Sequence, residues 1–262
     1  MAEVVILPNA EVAGALVADH ILTATHDKPE LVLGLATGST PLTVYRALSE
    51  KRASLARARG FALDEYLGLP SEHPERYRAV INREVVEPLG LDPHAVHVPG
   101  DDIDHGDPAA LAGAGAAFER ELHEAGGIDI QLLGIGATGH IGFNEPGSSF
   151  ASRTRVKTLT EQTRRDNARF FSSLDEVPMH CITQGLGTIL EASHLVLLAF
   201  GPGKAAAIAA AVEGPVTASL PGSAIQLHPH CTVVVDEAAG AELSYADYYR
   251  YAWREKPRWQ GL

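Results

Sequence analysis

The chain contains 262 residues, of which 45% are hydrophobic, and its mean hydropathy is near zero. This length fits one large α/β domain, with two smaller domains as the alternative. No apolar run reaches the ~18 residues that a membrane-spanning helix needs. Lysine and arginine total 21 against 33 acidic residues, a formal charge of -12, and a field of that sign argues against nonspecific binding of nucleic acid. The sequence therefore predicts neither a membrane nor a nucleic-acid partner.

The amino terminus and the two cysteines bear on location. Residues 1–8 lack a basic segment and contain a very short apolar run, so no signal peptide is predicted. Cys181 and Cys231 lie in apolar, strand-like segments, which indicates reduced core thiols rather than a disulfide. We therefore expect a cytoplasmic protein.

Apolar runs alternate with helical spacing along the whole chain. Strands are predicted over residues 4–7, 31–36, 60–66, 95–98, 128–133, 178–183, 194–200 and 231–236. Helices are predicted over residues 10–25, 41–51, 74–86, 108–124, 161–171 and 204–212, and at the start of the tail that follows residue 236. Strands separated by helices indicate a mostly parallel sheet with helices on both faces. We expect one domain over residues 1–262, with a mobile flap near residues 161–185.

The turn after the second predicted strand is a candidate anion site. Gly38, Ser39 and Thr40 follow that strand, and Thr40 is predicted to cap a helix that begins at Pro41. Free backbone amides and the positive end of the helix dipole favour an anion at such a turn. The pattern is neither a Walker A motif nor the dinucleotide fingerprint, so an ordinary capped turn is the alternative to phosphate binding.

Two carboxylates, Asp64 and Glu65, lie with Tyr66 at the end of the next predicted strand. Groups at the carboxyl ends of parallel strands face the crevice in which α/β proteins bind ligands. A carboxylate there can act as a general base when it lies close to the proton that it removes. The alternative is a solvated carboxylate in a turn.

A glycine-rich loop at residues 134–146 follows the strand predicted at 128–133 and contains His140 and Glu145. Its glycines indicate a tight backbone or the close approach of a ligand. Histidine exchanges protons near neutral pH, and a carboxylate can orient its ring and raise its basicity. The sequence therefore predicts an acid–base pair here, with a structural, hydrogen-bonded histidine as the alternative.

Two basic residues are candidates for binding a phosphate. Lys204 follows a predicted strand and opens a helix, which places it at the same sheet edge as Ser39 and Thr40. Arg169 is distant from it in sequence. Arginine offers bidentate hydrogen bonds and lysine a point charge. The alternative for each is a surface side chain.

Histidines and cysteines raise the question of a metal site. His228, His230 and Cys231 are close in sequence, and His180 and Cys181 form a second pair. Their spacing matches no standard zinc pattern. No metal is therefore predicted.

Four motifs together carry a resemblance to a known family. They are residues 35–41 (LATGSTP), 63–69 (LDEYLGL), 134–146 (GIGATGHIGFNEP) and 151–160 (ASRTRVKTLT). In this combination and order, the chain resembles the glucosamine-6-phosphate deaminase family over essentially its whole length. The resemblance implies a Rossmann-like α/β fold and no redox cofactor. It also implies a hydrolase-type reaction of amino-sugar metabolism, in which glucosamine 6-phosphate and water give fructose 6-phosphate and ammonia.

The resemblance also implies residue roles. Asp64 matches the base that moves a proton between C1 and C2. His140 matches the group that assists opening of the pyranose ring, and Glu145 matches the carboxylate that tunes it. The groups that match the phosphate site are Gly38, Ser39, Thr40, Arg169 and Lys204.

One catalytic position departs from the family pattern. Many members carry an acidic residue, and others asparagine, two positions before the histidine, whereas this chain has Thr138. A hydroxyl can hydrogen-bond His140 but cannot hold a negative charge. We expect activity to survive, with the tuning of His140 resting mainly on Glu145 and with a shifted pH profile.

A regulatory site is also implied by resemblance. In allosteric members, N-acetylglucosamine 6-phosphate binds between subunits as an activator. The matching positions here are Ser148, Ser149, Arg155, Lys157 and Thr158. The tyrosine expected in the tail does not align cleanly, because Arg250 falls at that position. The resemblance therefore suggests activation and a homohexamer, and the alternative for Arg155 and Lys157 is a solvated strand face.

Two other functions fit the same motifs. One is a lactonase-type hydrolase in which His140 activates water, and the segments 64–66 and 143–146 argue against it. The other is a noncatalytic sugar-phosphate sensor, against which the intact Asp64 and Glu145 argue. The sequence leaves the preference between glucosamine and galactosamine open.

Overall fold

The computed structural model describes residues 2–53 and 55–262. Its strands are β1 (Glu3–Leu7), β2 (Val32–Leu35), β3 (Arg59–Ala62), β4 (Asp64–Tyr66), β5 (Val96–His97), β6 (Ile130–Gly134), β7 (Arg155–Thr158), β8 (His180–Thr183), β9 (His194–Ala199) and β10 (Cys231–Asp236). Its helices are α1 (Ala10–Asp27), α2 (Ser39–Glu50), α3 (Tyr77–Ile81), α4 (Glu87–Leu89), α5 (Pro108–Glu124), α6 (Glu161–Asn167), α7 (Leu186–Ile189), α8 (Ala205–Glu213) and α9 (Ala246–Arg254). A π-helical turn (Asn82–Val86) joins α3 to α4, and 3₁₀ segments lie at Pro93–Ala95, Ala168–Phe170, Leu174–Glu176, Pro202–Lys204, Pro221–Leu227 and Arg258–Gln260.

Seven strands form a wholly parallel sheet in the order β1-β10-β9-β6-β2-β3-β5. All six residues of β9 and all four of β2 are buried. Strands that are apolar throughout need cover on both faces, which crossover helices supply. The predicted α/β class, a Rossmann-like and mostly parallel sheet with helices on both faces, is confirmed.

A second sheet was not predicted. It has three antiparallel strands in the order β4-β8-β7. The single strand predicted over residues 60–66 is therefore wrong, because it divides between the two sheets at Leu63. The N–H of Leu63 donates to Leu35 in the parallel sheet, and its carbonyl accepts from Gln184 after β8.

Several helices also differ from the prediction. The helix predicted over 74–86 begins at Tyr77 and passes into the π-helical turn. The helix predicted over 161–171 ends at Asn167 and continues as a 3₁₀ turn. The tail helix begins only at Ala246. These differences lie at the ends of elements, where sequence patterns are least informative.

The crevice of the parallel sheet lies between β2 and β6. From β2 the chain order runs outward through β3 and β5, and from β6 it runs the other way through β9 and β10. The β2–β6 ladder holds only the pairs Leu33 with Ile130 and Gly34 with Gln131, so it stops before the carboxyl end of β6. Such a switch in strand order marks the ligand crevice of open α/β sheets.

The core and the cysteines complete the fold. Leu132, Val196 and Val234 in the parallel sheet are fully buried. Cys181 and Cys231 are free and buried, as predicted. Within the described residues, no helix combines the length and the hydropathy needed to cross a membrane.

Candidate active site

The loops after β6 and β9 and the start of β4 meet at one edge of the parallel sheet. Lys204, after β9, donates from Nζ to the carbonyl of Ile135 at the end of β6, at 2.7 Å. A Cβ on Gly142 in the glycine-rich loop would lie 3.5 Å from Oδ2 of Asp64. The structure therefore brings Asp64 and Lys204 to the loop that carries His140, as the sequence predicted.

Two side chains, those of Thr138 and Glu145, lie near the same ring nitrogen of His140. Its Nδ1 lies 2.9 Å from Oγ1 of Thr138 and 3.9 Å from Oε2 of Glu145. A Cβ on Gly136 would collide with the imidazole, so the glycine lets the ring lie against the backbone. The N–H of Gly136 donates to the carbonyl of His140 at 2.9 Å and closes the loop. The close packing of His140 therefore explains Gly136, whereas a Cβ on Gly139 would instead collide with Leu220.

The charge of His140 is set by opposing effects. Burial lowers its pKa below the ordinary value of 6.5, and the charge of Lys204 lowers it further. The carboxylates of Glu145 and Asp166 act in the opposite direction. Because burial is the largest effect, the imidazole is neutral at pH 7 and can both accept and donate a proton.

Glu145 is almost fully buried, with 4% exposed. Its Oε1 accepts from the backbone N–H of Thr160 at 3.1 Å and from the hydroxyl of Thr160 at 3.0 Å. Among the described residues, Oε2 has no hydrogen-bond partner. The carboxylate is thus fastened through one oxygen and directs the other toward His140.

Asp64 begins β4 and is only 6% exposed, so the alternative of a solvated turn carboxylate is wrong. Burial raises the pKa of Asp64 to about 8, the neighbouring charge of Glu65 contributes, and the N–H of Phe143 opposes the shift. A carboxyl group with such a pKa is poised to exchange protons near neutral pH.

Glu65 has a structural role. It is fully buried, and its carboxylate accepts from the backbone N–H groups of Tyr66, Tyr77 and Arg78 at 2.7–2.9 Å. It thereby fastens the first turn of α3 to β4. Tyr66 and Tyr77 then pack together with Phe143, with ring centroids 4.8–5.9 Å apart. These aromatic residues surround Asp64 and were not predicted as part of the site.

The candidate anion site at residues 38–40 differs from its prediction in where the helix begins. Helix α2 begins at Ser39 with Gly38 as its N-cap, so the prediction of a Thr40 cap and a Pro41 start is wrong. Gly38 adopts a φ of 100°, which favours glycine. Within the part of the chain that the structure describes, no side chain caps this helix. Its first amides are therefore available to an anion at the carboxyl end of β2.

The two predicted basic groups lie close enough to affect each other. Burial lowers the pKa of Lys204, and the charge of Arg169 lowers it further, whereas Asp166 raises it. Arg169 itself is exposed, with its guanidinium 4.8 Å from the ring centroid of Phe170. The structure thus places Lys204 in the site and Arg169 at its rim.

The predicted activator residues range from the buried Ser148 through the half-buried Arg155 to exposed members. Arg155 donates from Nη1 to Oδ1 of Asn144 at 2.7 Å and from Nη2 to Oγ of Ser148 at 3.4 Å. The alternative of a solvated strand face is therefore wrong for Arg155. The remaining members are the half-buried Lys157 and the exposed Ser149 and Thr158.

The segment predicted as a flap lies against the site. Arg164 of α6 donates to the carbonyls of Leu174 and Val177 at 2.9–3.1 Å and closes this segment on itself. Nδ2 of Asn167 donates to the hydroxyl of Tyr66 at 2.9 Å. Helix α6 therefore reaches from Thr160 beside Glu145 to a residue next to Asp64 on β4.

Among the histidines that were candidates for metal binding, His230 lies in a cluster of stacked and hydrogen-bonded rings. Within the described chain, no group of three or more His, Cys, Asp or Glu side chains is placed to hold a metal ion. His230 instead stacks on His194 with ring centroids 3.6 Å apart, and Nδ1 of His194 lies 3.1 Å from Nε2 of His20. This histidine cluster lies at the amino ends of β9 and β10, opposite the site. Sequence reasoning missed it.

The fold and the site define a class: α/β proteins with acid–base side chains gathered at the switch point of a parallel sheet. A family model covers most of the chain, matching residues 9–234. The chain belongs to the family described as glucosamine-6-phosphate isomerases/6-phosphogluconolactonase. The resemblance found in the sequence is thereby confirmed.

Individual relatives agree with this assignment. The chain is 57% identical to a glucosamine-6-phosphate deaminase of Bifidobacterium longum, with both chains covered completely. It is 58% identical to a glucosamine-6-phosphate deaminase of Streptomyces coelicolor, covering 99% of this chain and all of the other. A solved structure of a monomeric glucosamine-6-phosphate deaminase superposes with a TM-score of 0.87 at 39% identity, covering 92% of this chain and all of that one. A 6-phosphogluconolactonase from Leishmania guyanensis, at 21% identity and a TM-score of 0.71 over 92% of this chain and 98% of the other, shares the fold.

Proposed function

We propose that this protein converts glucosamine 6-phosphate and water to fructose 6-phosphate and ammonia. The observation that carries the proposal is the placement of His140, the buried Glu145 beside it and the buried Asp64 around one crevice. High identity to named deaminases over the full chain supports it. The net reaction is an aldose–ketose isomerisation joined to hydrolysis of a C–N bond.

The first step is opening of the pyranose ring. The neutral imidazole of His140 takes the proton of the C1 hydroxyl, and a proton is returned to the ring oxygen as the C1–O5 bond breaks. Glu145 stabilises the imidazolium that forms between these two transfers. The product is an open-chain aldehyde, in which the proton on C2 has become acidic.

Asp64 then moves a proton from C2 to C1. Before substrate binds, the carboxyl group of Asp64 is mostly protonated at pH 7, because burial raises its pKa to about 8. The substrate bears an ammonium group on C2, and a positive charge beside a carboxylate favours its ionised form. Substrate binding therefore generates the base that the step needs. As the C2 proton moves to C1, one proton of the ammonium group passes to O1. The aldehyde thereby becomes a hydroxymethyl group, and a C=N bond remains at C2, which water attacks to release ammonia.

The phosphate is held at the other end of the crevice. The uncapped backbone N–H groups of Gly38, Ser39 and Thr40 donate to its oxygens, and Lys204 and Arg169 supply positive charge. In a chain with a formal charge of -12, this local arrangement offsets the unfavourable overall field. Binding energy far from C1 positions the sugar for the chemical steps.

Regulation and assembly stand as further proposals. We infer that Ser148, Ser149, Arg155, Lys157 and Thr158 bind N-acetylglucosamine 6-phosphate in a homohexamer. The support is that Arg155 contacts the loop that carries Glu145. The structural relative at 39% identity is described as monomeric, so solution mass measured with and without the activator is the deciding measurement. A cytoplasmic location stays a prediction.

Ammonia release decides between the proposed reaction and its alternatives. The purified protein is incubated with glucosamine 6-phosphate, galactosamine 6-phosphate or 6-phosphogluconolactone, and ammonia and free acid are measured. Ammonia and fructose 6-phosphate from glucosamine 6-phosphate are expected. Acid from the lactone without ammonia would favour the lactonase, and binding without any product would favour a sensor.

A further inference from the structure

Thr160 stands where the candidate active site meets α6. It is the N-cap of this helix, and its hydroxyl accepts from the backbone N–H of Thr163 at 3.1 Å. Its hydroxyl and its own backbone N–H both donate to Oε1 of Glu145, at 3.0 and 3.1 Å. One residue therefore holds a buried carboxylate and the first turn of a helix together.

The protons in this cluster can be assigned. A threonine hydroxyl carries one hydrogen, and here that hydrogen goes to the carboxylate of Glu145. The hydroxyl of Thr163 also lies 3.1 Å from Oγ1 of Thr160, so in that contact Thr163 is the donor. Oγ1 of Thr160 thus donates once and accepts twice, which fixes its rotamer.

The effect on Glu145 follows from which oxygen is held. Two donors on Oε1 fix the plane of the carboxylate, and Oε2 is left buried without a hydrogen-bond partner among the described residues. This Oε2 lies 3.9 Å from Nδ1 of His140. A buried oxygen with no other partner is the structural sign of a group kept ready for a neighbour. Here that neighbour is the imidazole once it takes up a proton.

We propose that Thr160 is a positioning residue that holds Glu145 toward His140 and makes this orientation depend on the docking of α6. The inference rests on the proposed function, because it gives His140 its role in ring opening. The other end of α6 touches Tyr66 through Asn167. Docking of one helix therefore sets the surroundings of both catalytic carboxylates.

Three variants of Thr160 separate its two contacts. Thr160→Val keeps the size but loses the hydroxyl, so kcat for ammonia release is expected to fall about ten-fold, the worth of one hydrogen bond to a charged group. KM should stay nearly constant, because the hydroxyl does not face the phosphate site. Thr160→Ser keeps both contacts and should restore kcat. Thr160→Asp keeps the cap but sets a carboxylate against Glu145, so kcat should fall further than in Thr160→Val.

A matched control distinguishes positioning from loss of helix stability. Arg165→Ala removes the exposed ion pair with Glu161 inside α6 and leaves Glu145 untouched. Its kcat and pH profile should equal those of the wild type. In Thr160→Val, the acidic limb of the kcat profile should move to lower pH, because a displaced Glu145 no longer raises the pKa of His140. Arg165→Ala with the same shift would overturn the proposal.

A second readout does not depend on catalysis. The imidazole of His140 is titrated by NMR in the wild type, Thr160→Ser and Thr160→Val. Because the charge of Glu145 raises the pKa of His140, release of Glu145 in Thr160→Val should lower it, whereas Thr160→Ser should titrate like the wild type. An unchanged titration in a folded Thr160→Val protein would overturn the inference. If the wild type releases no ammonia, the proposed function fails while this titration still tests Thr160.

Discussion

The two ends of the parallel sheet each bury a histidine, and the two histidines have opposite surroundings. At the carboxyl edge, His140 lies beside the carboxylate of Glu145 and the hydroxyl of Thr138. At the amino edge, His194 lies among other histidines, of which His230 stacks on its ring. Burial lowers the pKa of both, but only His140 has a neighbouring negative charge that raises it again.

The difference teaches what a buried histidine needs for chemistry. The pKa of His194 falls to about 3, first through burial and then through the charges of His230 and His20. Its Nε2 lies 2.9 Å from Oγ1 of Thr232, so the neutral ring joins β9 to β10. By contrast, His140 has the carboxylate of Glu145 near its ring. The same residue type thus serves stability at one edge and proton transfer at the other.

The largest expected effect comes from removing the base at the carboxyl edge. Asp64→Asn should lower kcat for ammonia release by about 10²–10⁴-fold, the range for loss of a general base. Because folding raises the pKa of Asp64 from 3.8 to about 8, this residue costs stability as pH rises between these values. Asp64→Asn should therefore raise the free energy of unfolding at pH 8 by on the order of 5 kcal/mol and leave it unchanged near pH 3.

Urea unfolding of the wild type and Asp64→Asn at both pH values measures this. Full activity in the variant would remove Asp64 from the mechanism. Equal stability at pH 8 would mean that the folded protein ionises the carboxyl group of Asp64 without cost.

The second largest effect is expected from removing the negative charge beside His140, which gives it surroundings like those of His194. Glu145→Gln removes the charge beside His140, so the pKa of His140 should fall toward that of His194. The amide oxygen of the new side chain can still accept from Thr160, which preserves the local structure. We expect kcat to fall by about 10²-fold with little change in KM, because the imidazolium loses its counter-charge. Steady-state kinetics across pH 5–9 measures this, and an unchanged acidic limb would contradict it.

The effect of the buried His194 on stability at the amino edge of the sheet can be tested by unfolding the protein in acid. The pKa of His194 is about 3 in the folded protein against 6.5 for the ordinary side chain. Between pH 6.5 and 3, His194 is therefore protonated in the unfolded chain but not in the folded protein. The free energy of unfolding decreases as pH falls through this range. His194→Gln keeps a hydrogen-bonding side chain without this proton, so between pH 7 and 4 it should lose about 3 kcal/mol less stability than the wild type. Ammonia release at pH 7.5 is the control and should be unchanged, and equal acid sensitivity of the two proteins would refute the prediction.

The contrast between the two edges also shows how far sequence reasoning reaches. Asp64 and Lys204 were predicted because each lies at the end of an apolar strand, and parallel strands bring such ends together. His140 was predicted from the glycines around it. These signals are local, and strand order alone places them at a common edge.

Contacts between distant segments carried no such signal. The strand predicted over 60–66 divides at Leu63 because of hydrogen bonds to Leu35 and Gln184, which no local pattern encodes. The histidine cluster joins α1, β9 and the start of β10, and the residues involved are over 170 positions apart in the case of His20 and His194. Thr160 reaches Glu145 only through the path of β7. Each of these three features depends on hydrogen bonds between segments that are distant in sequence.

The smallest expected effect concerns Thr138. Its hydroxyl lies 2.9 Å from Nδ1 of His140, at the position where the sequence departs from the family pattern. Thr138→Asp would give His140 a second carboxylate, so its pKa should rise and the pH optimum for ring opening should move upward, with kcat changing by only about two- to five-fold. Thr138→Asn is the matched control, because it keeps a hydrogen-bonding group without charge and should leave the optimum in place. An unchanged ring-opening rate and pH profile in Thr138→Asp would mean that Glu145 alone tunes the imidazole, and the carboxyl edge would then depend on one charge held by Thr160.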